Sequence, residues 1–141
     1  MVAFNKFNSF VENIAEGVVN LQSDTLKIFL TNTAPVASNS GRADLTEISA
    51  GNGYTSGGIA VTVSASGQTS GTYKLVVDDL TITASGGSIG PFRYFVLVDE
   101  TPTSPADPLI GWWDYGSSIT LADGESVTVD FDATNGVLQI A

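Results

Sequence analysis

The sequence predicts an all-β chain, an antiparallel β-sandwich or jelly roll of about eight strands with one N-terminal amphipathic helix. Three observations carry that expectation. Apolar residues recur at spacings of three and four only at the start of the chain. From about residue 25 onward they recur in short period-two runs broken by Gly, Pro, Asn and Asp. No second helical pattern is present to carry parallel crossovers, so successive strands are expected to pair antiparallel.

The helix is expected over about 4–17, with Phe4, Phe7, Val11, Ile14, Ala15 and Val18 on one stripe and Asn5, Lys6, Asn8, Glu12, Asn13 and Glu16 between them. That stripe packs most simply on the chain's own sheet; docking onto another subunit is the alternative. Leu26, Ile28 and Leu30 then alternate as a strand. Residues 32–58 are rich in Pro, Ser, Asn and Gly, with Leu45 and Ile48 as isolated apolar anchors, and read as a long surface excursion.

Ile59, Val61 and Val63 read as the hairpin partner of Tyr73, Leu75 and Val77, around a turn at 66–71. The apolar phase slips between Asp78-Asp79 and Leu80, which predicts a bulge or a change of sheet. Phe92–Val98 is apolar on both alternation sets apart from Arg93, as in a central strand or one with a face on a partner. The three prolines Pro102, Pro105 and Pro108 mark a stiff exposed loop. Strands at 109–115, 118–121, 127–131 and 137–140, with turns at Asp123-Gly124 and Asn135-Gly136, complete a single domain over 1–141.

Composition narrows the chemistry. The chain has no Cys and no His, so zinc sites built on those residues, disulfide frameworks, cysteine nucleophiles and histidine bases are excluded. At 141 residues, folding supplies a core without such staples. The formal charge is -10, and Lys6, Lys27, Arg42, Lys74 and Arg93 are scattered, so nucleic acid is not an expected partner. No apolar run is long enough for a membrane helix, and the first ten residues lack the basic and leucine-rich regions of a leader, so a soluble chain made in the cytoplasm is expected.

No catalytic, cofactor or metal residues emerge, and a non-enzymatic protein without cofactors is expected. Asp130, Asp132 and Asn135-Gly136 approach a calcium-loop pattern, but the glycine falls one place late and a hairpin accounts for them. Asp78-Asp79 and Asp99-Glu100 supply the carboxylate type that glycoside hydrolysis needs, yet adjacent carboxylates at strand ends read as solvated. The glycine cluster at 51–58 lacks the Lys and following helix of a phosphate loop. Alternation sends Trp112 and Trp113 to opposite faces, so one enters the core and the other points outward. The outward ring, with Tyr115, would form either a sugar-stacking platform or a protein contact, unless a loop of the same chain covers it.

Three segments, Leu21–Thr31, Glu47–Gly58 with its Gly-Asn-Gly-Tyr-Thr core, and Pro108-Leu109-Ile110-Gly111-Trp112-Trp113-Asp114-Tyr115-Gly116, resemble small virion proteins of tailed bacteriophages, in the same order along nearly the whole chain. The resemblance implies a structural role with no catalytic residues. It implies a capsid cement or decoration protein on the outer shell, with the major capsid protein and further copies of itself, as dimer or trimer, for partners. A tail or fibre component is the neighbouring reading, and a carbohydrate-binding module the alternative from another class. Candidate partner-interface residues are Phe4, Phe7, Tyr54, Trp112, Trp113 and Tyr115.

Overall fold

A computed structural model describes residues 3–141 and shows an all-β, sandwich-like fold of antiparallel sheets with one helix. Ten strands are present: β1 (Asn5–Lys6), β2 (Leu26–Thr31), β3 (Ile59–Ala60), β4 (Val63–Thr69), β5 (Thr72–Val77), β6 (Leu80–Thr83), β7 (Ile89–Asp99), β8 (Leu109–Leu121), β9 (Ser126–Val129) and β10 (Leu138–Ile140). The count differs from the expected strands in three places: β1 has no counterpart among them, the run expected from Ile59 to Val63 is divided between β3 and β4, and the strands expected at 109–115 and 118–121 are one continuous β8. The strands form a five-stranded sheet in the order β1-β8-β7-β2-β3, a three-stranded sheet β10-β5-β4 and the pair β6-β9.

The helix α1 (Asn8–Ala15) is shorter than expected, and Phe4–Phe7 lie outside it. Asn5 and Lys6 pair instead with Trp112 and Gly111, so the apolar spacing that suggests a first helical turn serves an edge strand. The helix ends near Gly17 as expected, in a Schellman arrangement: Val18 N–H donates to the Asn13 carbonyl at 2.9 Å and Gly17 N–H to the Ile14 carbonyl at 3.4 Å. Phe10 faces the core, whereas Val11 is half exposed.

Strand β7 is central, flanked by β8 and β2, and both of its faces are covered by the same chain. On one face Ile28, Leu30, Phe95, Leu97, Ile110 and Trp113 pack with Leu75, Ile82 and Leu138 from the other sheets and with Phe131, just beyond β9. On the other, Phe29, Val96, Val98 and Leu109 pack against Phe7, Leu45 and Trp112. The 32–58 segment is therefore more than a surface excursion, because its Leu45 closes a second, smaller core. Ladder spacing explains how Ile110 and Trp113 share a face despite an odd separation. Gly111 opposes Leu97 and Leu109 opposes Val98, leaving Ile110 as an extra, bulged residue.

Two further expectations meet different outcomes. The slip after Asp78-Asp79 is a change of sheet, β5 belonging to one and β6 to another. The hairpin of β4 and β5 turns at Ser70-Gly71, but Ile59 leaves it to pair with Ile28 of β2. The Pro-rich loop is tied down at its C-terminal end: Arg42 N–H donates to the Asp107 carbonyl at 3.1 Å and Leu109 N–H to the Ser40 carbonyl at 3.0 Å.

Candidate functional site

Three of the six candidate interface residues are core residues. Phe7 is 0% exposed, Tyr54 2% and Trp113 5%. Phe7 and Tyr54 are withdrawn as partner contacts, since each already has its apolar surface inside the chain, and Trp113 is open only where it lines a small pocket. Phe4 is half-buried, its ring 5.3 Å from that of Trp113. It occupies the space a side chain at Gly111 would fill. Trp112 and Trp113 do take opposite faces, but Trp112 is half-buried under Phe7 at 4.6 Å between centroids and is no flat stacking platform. Tyr115, 47% exposed, is the candidate left at the surface.

Tyr54 locks the 47–58 motif to the sheet. Its hydroxyl accepts the Leu30 backbone N–H at 3.0 Å and donates to Glu47 Oε1 at 2.7 Å. The same Glu47 oxygen accepts Gly57 N–H at 2.7 Å, while Oε2 meets the Arg42 guanidinium at 3.3 Å. Arg42 reaches on to Asp107 Oδ2 at 3.4 Å, so one polar chain joins β2, the 32–58 segment and the Pro-rich loop. Burial, first, and the Glu47 carboxylate, in addition, push the phenol above its ordinary range. Tyr54→Phe keeps the ring but strands the Leu30 N–H and one Glu47 lone pair. A stability loss of about 1–3 kcal/mol is expected in urea denaturation, with an unchanged m-value.

The carboxylates divide by environment. Asp114 receives Arg93 in a fork at 2.8 and 3.1 Å, and these bonds, followed by the Gly116 N–H, lower its pKa. Asp132 accepts the Thr134 and Asn135 N–H groups, each at 2.8 Å, and is likewise lowered; the pattern that approached a calcium loop is a side-chain-capped turn. Asp79 is exposed and accepts the Phe131 N–H at 2.9 Å. Asp99 overturns the solvated reading of Asp99-Glu100, because it is 0% exposed. Its Oδ1 accepts Thr101 N–H at 3.1 Å and its buried Oδ2 has no hydrogen-bond partner among the described residues. Burial and then Asp24 raise its pKa to about 8.

A pocket of about 170 Å³ opens between β8 and β9. Phe95, Trp113 and Phe131, all buried, form its floor, and Tyr115, Thr128 and Asp130 stand at its exposed rim. The rings interlock, Trp113 lying 5.5 Å from Phe131 and Phe95 6.3 Å from Tyr115 between centroids. Sequence reading named Trp113 and Tyr115 among the candidate contacts, from the alternation that sends Trp112 and Trp113 to opposite faces, without choosing which tryptophan accompanies Tyr115. It missed Phe95, Phe131 and Asp130 as partners, because nothing local announces that β7 and β9 meet β8 there. Among the described residues no group of three or more acidic side chains is placed to hold a metal ion. No described helix is long and apolar enough to cross a membrane. No family model, curated protein or solved structure matches the chain.

Proposed function

We propose that the chain is a non-enzymatic structural protein of a tailed-bacteriophage virion, binding the outside of the assembled shell as a cement or decoration protein. Its partners are the major capsid protein and further copies of itself. The observation that supports this reading is the use to which the three resembling segments are put. Leu21–Thr31 supplies β2, Glu47–Gly58 supplies the Tyr54 lock upon it, and Pro108–Gly116 supplies the first part of β8. The shared residues are thus spent on building one rigid sheet, as suits a protein that works by presenting a fixed surface to an assembled shell. Tyr115, Val11, Val36 and Ile140 are the large apolar side chains left exposed for such contacts. The net charge of -10 suits a surface turned away from packaged DNA and keeps particles apart.

Copy number tests the reading. Quantitative mass spectrometry of purified virions of the encoding phage is expected to give a fixed fraction of the major shell subunit. A handful of copies per particle moves the chain to the tail or fibre, and its absence from the particle overturns the virion assignment.

A further inference from the structure

We infer that the pocket between β8 and β9 is a binding site for one small organic cation, an alkylammonium group seated among aromatic rings. The pocket has the size and the walls for it. Its volume of about 170 Å³ is close to that of cavities, about 150 Å³, that hold a single benzene-sized group. Four of its eight lining residues are aromatic, Phe95, Trp113, Tyr115 and Phe131. Aromatic faces carry a negative quadrupole, which attracts a cation that has shed its water and repels an anion.

Charge decides between a cation and a neutral apolar group. Asp130 lines the same pocket, is exposed, and makes no ion pair or side-chain hydrogen bond among the described residues. No Lys or Arg lines the pocket. Elsewhere in the chain four of the five basic side chains are engaged: Lys27 pairs with Glu100, Arg42 with Glu47 and Asp107, Arg93 with Asp114, and Lys74 Nζ donates to the Thr134 carbonyl at 2.8 Å; the fifth, Lys6 on β1, does not line this pocket. An uncompensated carboxylate at the mouth of an aromatic pocket, in a chain of charge -10, selects a positive guest from outside. Val127 and Val129 complete walls that favour an ammonium clothed in carbon, whether a quaternary headgroup or the end of a partner's lysine.

The pocket's chemistry is the same whether or not the chain sits on a virion, so its test uses the isolated, ¹⁵N-labelled full chain. Choline, Nα-acetyl-lysinamide and the neutral isostere of choline, with tert-butyl in place of trimethylammonium, are titrated while the Trp113 indole N–H and the Tyr115 and Phe131 amides are followed by NMR. Saturable shifts confined to these residues are expected, with a cation binding roughly tenfold tighter than the neutral isostere. Asp130→Asn and Tyr115→Ala, both at exposed positions, are expected to abolish that preference while the thermal melt stays near that of the parent chain. Preference for choline assigns the guest to a free or headgroup ammonium, and preference for the lysine derivative assigns it to a partner's side chain. Equal response to the neutral isostere, retention of the preference in Asp130→Asn, or no saturable shift with any probe overturns the assignment.

Discussion

Gly58→Ala is expected to lower stability by roughly 3–5 kcal/mol, the sum of a backbone penalty and an overlap that nothing nearby relieves. Gly58 has φ +99, where an L side chain is strained. Its new Cβ would lie 2.4 Å from the Ile28 carbonyl oxygen and 3.0 Å from Phe29 Cβ. Ile28 is held on its other side by Leu97 of β7, and Phe29 is 0% exposed, so neither retreats. Relief comes only by lifting β3 and the adjacent Gly57 off β2, which breaks the 2.7 Å bond from Gly57 N–H to Glu47 and loosens the Tyr54 lock. A melting temperature lower by roughly 10 °C or more is the expected reading by calorimetry. Gly116→Ala separates the two causes, since Gly116 has φ +101 but nothing within 4 Å of its added Cβ. It is expected to lose only about 1–2 kcal/mol. Equal losses in the two variants would show that conformation, and not the approach to Ile28, sets the need for glycine at 58.

How far the fold was legible follows from which signals are local. Strands β2, β5 and β7 announce themselves by alternation, and the two-faced apolar run of β7 states that both sides of the sheet are covered. What covers the second side is not written nearby. Phe7, Leu45 and Trp112 come from three distant segments, and only the assembled register brings them onto Phe29 and Val96. The N-terminal stripe misleads for a related reason: Phe4 and Phe7 keep a helical spacing, but pairing of Asn5 and Lys6 with β8 outweighs the local preference. For the candidate site, the parity of Trp112 and Trp113 was readable, whereas the cover over each was not. The tyrosine of the Gly-Asn-Gly-Tyr-Thr core looks like a surface ring in a polar loop. Its burial depends on an acceptor, Glu47, seven residues earlier, and on a donor in β2. Asp99 is the sharpest case, since an aspartate followed by a glutamate at a strand end has every local mark of solvation.

Asp99 gives the second large effect, a stability that falls as the pH rises. In the unfolded chain its carboxyl ionises near pH 4, by the ordinary value of about 3.9 for aspartate. In the folded chain burial and the facing Asp24 hold the proton on to about pH 8. Between those limits the native state binds more protons than the unfolded state, so this group's effect is to lower stability steadily across the window. Below pH 4 both states are protonated and the group is silent. Asp44, Asp114 and Asp132 act in the opposite sense, because their pKa values are lowered and their contributions fade only at acid pH. Asp99→Asn imitates the protonated acid, its carbonyl accepting the Thr101 N–H and its amide donating to Asp24. Between pH 5 and 8.5 the parent chain is expected to lose several kcal/mol, on the order of 3, in urea denaturation, while the variant stays flat and overtakes it on the alkaline side. Asp24→Asn leaves the carboxyl of Asp99 buried but removes the facing charge that helps to hold its proton, so the decline is expected to end at a lower pH and to be smaller in total, without being abolished. Parallel profiles for Asp99→Asn and the parent would mean that Asp99 ionises in place, with water or a backbone shift supplying the partner its Oδ2 lacks.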